Sequence, residues 1–138
     1  PLEQAARKIK EAGKDDLPLI GQGHLSFFSK DHLIRLFSET GFDCIQPLEV
    51  KAGNDMLKLK KDYGDKLAFM GGIDVRVLYS NDRAQVDAEL EAKIPIVKGN
   101  FGYVLHSDHS IPDTVNYETY RYFVDRGLEL GRYDGAGA

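Results

Sequence analysis

Several features that would assign this sequence to a class are missing from it. One cysteine, Cys44, stands among 138 residues, so there is no intrachain disulfide framework, and a reducing, cytoplasmic setting is expected. No apolar run approaches the ~20 residues of a membrane-spanning helix, so no membrane partner is expected. No basic-then-apolar N-terminus reads as a secretion signal. A basic excess is also lacking. The 18 Lys and Arg against 22 Asp and Glu give a formal charge of -4, which argues against a nucleic-acid partner. The chain is far shorter than the roughly 250 residues of a closed eight-stranded β/α barrel. A start at Pro1 and an end at Gly135-Ala136-Gly137-Ala138 read as the ends of a fragment.

What is present fits one folded domain, with 42% hydrophobic and 29% charged residues. Helix-like and strand-like segments alternate. Residues 2–12 are rich in helix formers and stop at Gly13. Leu17-Pro18-Leu19-Ile20 is a short apolar run ending in Gly21-Gln22-Gly23-His24. Ser29 or Asp31 can cap a helix carrying Leu33, Ile34, Leu36 and Phe37. Phe42 to Leu48 predicts a second strand, and Asn54 or Asp55 caps a helix ending at Tyr63-Gly64. Leu67 to Met70 predicts a third strand, followed by Gly71-Gly72-Ile73-Asp74. Asn81-Asp82 opens a helix to about Ile94, near Pro95. Phe101 to Leu105 predicts a fourth strand, and Tyr117 to Leu130 a last helix on which Tyr117, Tyr120 and Tyr122 read as packing. This alternation predicts an α/β fold of parallel strands joined by right-handed crossovers.

In such folds chemistry collects at the carboxyl ends of the strands. There the chain carries His24, Glu49, Asp74, His106 and His109. His106-Ser107-Asp108-His109 places two imidazoles and a carboxylate just past a strand, suited to proton transfer or metal binding; the same residues also suit a loop in which Asp108 and Ser110 turn the chain. In Gly71-Gly72-Ile73-Asp74 the glycines allow close approach of backbone or ligand, and Asp74 can hold an arginine, accept protons or serve as a turn acceptor. Glu49 is either a site carboxylate or a partner of Lys51. His24 and His109 are two ligands where a zinc site needs three or four. Cys44 lies within its strand and reads as a small core residue. Lys58, Lys60 and Lys61 read as a solvated basic face.

Three blocks taken in order, Gln46 to Gly53, Tyr63 to Asp74 and Leu105 to Pro112, resemble the uroporphyrinogen decarboxylase-like family, and Tyr117 to Phe123 is similar to that family's C-terminal helix. The family also includes zinc-dependent methyltransferases that act on corrinoid proteins. The resemblance implies that residues 1–138 form a single partial domain: four β/α units making up the C-terminal half of a TIM-type (β/α)8 barrel. His109 sits where the decarboxylases have the histidine of a Leu-Gly-His-Gly loop, and Gly71 to Asp74 resembles their Gly-Asn-Leu-Asp. The resemblance therefore implies decarboxylation of a porphyrinogen-like or related acidic small molecule. His109 and Asp74 are the candidate catalytic residues, and Glu49, Gly72 and His106 the candidate substrate contacts. No cofactor is needed by the decarboxylases. The alternative is zinc-dependent methyl transfer with His24 and His109 as metal ligands. The family's catalytic aspartate and substrate-binding arginines come from its N-terminal half, which no segment here matches. The chain is accordingly expected to pair with a second copy or with a separate N-terminal half, or to be a half-barrel without activity of its own.

Overall fold

A computed structural model of the chain describes residues 20–22 and 30–133. The expected helix over residues 2–12 and the site residue His24 lie outside the described residues. In chain order the elements are β1 (Ile20–Gln22), α1 (Lys30–Glu39), β2 (Cys44–Gln46), α2 (Met56–Tyr63), β3 (Ala68–Met70), α3 (Val75–Tyr79), α4 (Arg83–Val97), β4 (Tyr103–Val104) and α5 (Tyr117–Gly131). The described strands form one parallel sheet in the order β1-β2-β3-β4. Each strand lies beside its sequence neighbour, the arrangement that successive crossover helices produce. Among the described residues no helix is long and apolar enough to cross a membrane.

Local chemistry explains most of the boundaries. The Asp55 carboxylate caps α2, accepting from Leu57 N at 3.0 Å and Lys58 N at 3.2 Å. Lys60 and Lys61 in the last turn of α2 complement the negative end of its dipole. Asp82 caps α4, accepting from Ala84 N at 2.9 Å, and Asn116 caps α5, accepting from Thr119 N at 2.8 Å. β2 and β4 are shorter than the apolar runs suggested, because only the middles of those runs are paired.

The sheet has two unlike faces. Ile45, Phe69 and Tyr103 stand in one register row. Ile45 and Phe69 belong to the core, and Tyr103 packs against it. Onto this face come Ile34 and Phe37 of α1, Met56 and Leu59 of α2, Leu78 of α3, Phe123 of α5, and Val86, Leu90, Ile94 and Val97 of α4. The α4 residues recur every three or four positions, so one stripe of that helix is buried, at about 1.5–3 kcal/mol per large side chain. Alternate strand residues point to the other face, where Val104 is 48% exposed.

Three expectations need correction. A short helix, α3, follows the Gly-Gly turn; at five residues it is too short to show a helical period. Helix α4 continues through Pro95 to Val97. The N–H that Pro95 lacks would have bonded the Glu91 carbonyl; both residues are exposed, where losing an intrahelical bond costs least. The tyrosines of α5 do not act as packing residues together. Tyr117 and Tyr120 are exposed, while Tyr122 is half-buried and donates its hydroxyl to the Asp87 carboxylate at 2.8 Å. Helix α5 buries Phe123 in the core shared with the α4 stripe, and Arg126 adds ion pairs across to α4, with Asp87 at 3.2 Å and Glu91 at 2.5 Å, besides one within α5 to Glu129 at 2.7 Å. The Glu129 and Glu91 carboxylates raise the affinity of Arg126 for its proton.

Candidate functional site

Three loops leave the carboxyl ends of β2, β3 and β4 side by side. The β2 loop begins with a cis Gln46-Pro47 bond and a positive φ at Leu48, whose side chain is buried in the core. It then closes as a turn. Gly53 N donates to Val50 O at 2.7 Å, and Asn54 donates to Glu49 O through its side-chain amide at 2.9 Å.

The β3 loop is bound on every side. Gly71 and Gly72 take φ values of 107° and 76°, a region where a Cβ is strained. Gly72 N donates to Pro47 O at 3.1 Å. The Gly71 carbonyl accepts from the Tyr103 hydroxyl at 3.0 Å, and the Gly72 carbonyl accepts from Lys93 Nζ at 2.9 Å. Lys93 is also paired with Glu89, whose carboxylate accepts from Asp74 N at 2.8 Å. Burial pushes the Tyr103 phenol well above its usual range. A Cβ on Gly72 would lie 2.6 Å from Met56 Sδ. Its amide groups and its side-chain direction are thus taken up by the protein, which leaves the substrate-contact expectation for Gly72 without a free face.

The β4 loop supplies Asp108, which is 2% exposed. One carboxylate oxygen accepts from Val50 N and the other from Val75 N, each at 2.8 Å. Asp108 N donates to Ile73 O at 2.7 Å, beside a parallel bridge between Ile73 and Ser107.

Between these loops lies a cavity of about 180 Å³ lined by Glu49, Lys51, Asp74, Arg76, Tyr79 and His109, together with Val75 and Asp108. The expected site residues Glu49, Asp74 and His109 therefore meet at one place. His106 does not line it; it is half-buried, with Nδ1 against the Ser107 carbonyl. Asp74 caps α3 and grips Arg76, with Nε–Oδ1 at 2.8 Å and Nη2–Oδ2 at 2.6 Å. The Arg76 guanidinium holds the Asp74 carboxyl below the usual carboxylate range. Asp74 is thus an ionised group at neutral pH, suited to orienting Arg76 more than to delivering a proton. His109 is exposed at the cavity and is its one imidazole among the described residues.

Sequence reasoning did not assign Lys51, Arg76, Tyr79 and Asp108 to the site. For Arg76 and Tyr79 a signal exists once α3 is recognised, because they follow the Asp74 cap on its first turn and its last residue. A larger hollow of about 300 Å³ between β4, α4 and α5 is walled by Ile94, Tyr103, Leu105 and Leu128 among others and contains no imidazole or carboxylate.

Among the described residues no group of three or more His, Cys, Asp or Glu side chains is placed to hold a metal ion. Around His109, the Asp108 oxygens are taken by amides and those of Asp74 by Arg76, so these donors do not fit zinc. Cys44 is buried, and its thiol is pushed up by desolvation.

The family model described as Uroporphyrinogen decarboxylase (URO-D) matches residues 1–129. No curated protein matches the chain.

Proposed function

The chain belongs to the uroporphyrinogen decarboxylase family, and from that premise we propose that it forms one wall of a decarboxylase site for a porphyrinogen-like polycarboxylate. The observation that carries this reading is the convergence of Glu49, Asp74 and His109, from three consecutive strand ends, on one cavity. Lys51 and Arg76 supply positive charge for substrate carboxylates, with Asp74 holding Arg76 in place. His109 supplies the proton. When a substrate carboxylate leaves as CO2, the bonding electron pair stays on the carbon. That carbon takes a proton from the His109 imidazolium, and the imidazole is recharged from solvent. A positioned acid of this kind contributes roughly 10²–10⁴-fold to rate. The decarboxylation proposed here calls for no cofactor.

The same reading makes residues 1–138 the C-terminal four β/α units of a (β/α)8 barrel. The family's catalytic aspartate and substrate-binding arginines then come from N-terminal units, on the same polypeptide or a separate one. Support comes from the open sheet, which among the described residues has β1 and β4 at its edges and Val104 exposed on the face away from the core. An unpaired parallel edge is an unfavourable thing to leave in water.

The experiment is CO2 release from a porphyrinogen by the purified full chain, with and without whatever N-terminal units accompany it, compared with His109→Asn. The expected result is a loss of about 10²-fold in turnover with the fold retained. An unchanged rate in the variant, or no turnover by the wild type in any assembly, overturns the reading.

A further inference from the structure

The bonds of Asp108 fall at particular places in the three loops. Its carboxylate accepts from Val50, which lies between Glu49 and Lys51, and from Val75, which lies between Asp74 and Arg76. Asp108 is itself followed directly by His109. Each anchor point is thus flanked by the ionisable groups that line the cavity. We propose that Asp108 is a positioning residue that locks the three strand-end loops into one frame and so sets His109 against Glu49, Lys51 and Arg76. The catalytic part of this inference rests on the function proposed above; the mechanical part does not.

The chemistry favours this role. An ionised carboxylate makes stronger and more directional bonds to N–H donors than a neutral acceptor does. Burying one costs heavily unless every oxygen is satisfied, and here each oxygen has an amide. With each oxygen bonded to an amide and the side chain 2% exposed, Asp108 is closed to a substrate by burial and acts through its neighbours. His109 is fixed from the other side as well, since Ser107 Oγ donates to the His109 carbonyl at 2.6 Å. Apolar packing could hold three loops together but would not fix the direction of two amides from different loops. In reactions that depend on aligned groups, a displacement of about 1 Å costs on the order of 10²-fold.

Asp108→Asn keeps the side-chain shape but turns one acceptor into a donor that faces an amide. In the full chain, hydrogen exchange at the Val50 and Val75 amides is expected to speed up roughly 10- to 100-fold. Exchange at the core amide of Phe69 stays as in the wild type. Equal acceleration at all three, or none at Val50 and Val75, overturns the frame. In the porphyrinogen assay the variant is expected to lose on the order of 10²-fold in kcat with KM within about twofold. Because Asp108 acts through His109, adding Asp108→Asn to His109→Asn should cost less than about threefold more. Independent, multiplying losses would mark Asp108 as a merely structural residue. If the Asn variant does not fold, Asp108→Glu, which keeps both acceptors on a longer arm, carries the same cycle. A wild type without turnover defeats the proposed function, and the exchange pattern still decides whether Asp108 couples the loops.

Discussion

Replacing Gly71 with alanine tests how tightly the site's central turn is built. At φ 107° the backbone lies where an L-residue is strained, at a cost of about 1–3 kcal/mol. The added Cβ would also sit 2.1 Å from the Pro47 carbonyl oxygen, far inside contact distance and against backbone that cannot rotate away. Relieving that clash means parting the β2 and β3 loops and losing the bond from Gly72 N to Pro47 O, worth about 1 kcal/mol. The sum is about 3 kcal/mol, a large share of the roughly 5–15 kcal/mol that holds a domain together. In urea, with a slope of about 2 kcal/mol per M, the midpoint should fall by about 1.5 M at constant slope. Gly131→Ala is the control. Nothing lies within 4 Å of a Cβ at that position in α5, so alanine there should be neutral or stabilise by about 0.4–1 kcal/mol. A Gly71→Ala midpoint within about 0.3 M of the wild type would refute the argument that this turn needs glycine.

Two further outcomes follow from the same bonds. The folded-state pKa of Asp74 is lowered, so the stability it contributes is present above the ordinary value of about 3.9 and is lost as pH falls through the lowered one. Asp74→Asn should therefore be less stable than the wild type at neutral pH, with the gap closing on acidification below about pH 4 in urea titrations at each pH. The folded-state pKa of Tyr103 is raised, so wild-type stability should fall as pH climbs past about 10. Tyr103→Phe should flatten that alkaline limb. It should also cost about 1 kcal/mol at neutral pH, because the Gly71 carbonyl loses its partner. A variant as stable as the wild type at pH 7 would mean that this bond contributes nothing.

Most parts of the fold that depend on neighbouring residues were legible in the sequence; α3, capped by Asp74 but only five residues long, was not. Asp55, Asp82 and Asn116 cap amides two or three positions away, so helix starts could be read from residue type and spacing. The strand-end position of Glu49, Asp74 and His109 was legible for the same reason, because it follows from the alternation of strands and helices. What escaped notice is set by distance along the chain. Asp108 finds its amide partners 58 and 33 residues away, which no local pattern reveals. The glycines at 71 and 72 were expected to let backbone or a ligand approach closely; which of the two was set by other segments, the Pro47 backbone and the Met56 side chain. Tyr117 and Tyr120 carried the same residue type as Tyr122, but only the last faces Asp87 on α4. His24 belongs to residues outside those described, so its expected zinc role gains nothing from the fold.

On the proposed function, the cavity between the β2, β3 and β4 loops receives the substrate. That is tested most directly by titrating the isotopically labelled chain with a porphyrin polycarboxylate and following each backbone amide by NMR. The largest shifts are expected at Glu49, Lys51, Arg76 and His109, which line that cavity. Shifts centred instead on Leu105, Leu128 and Tyr133, around the apolar hollow beside β4, would contradict it.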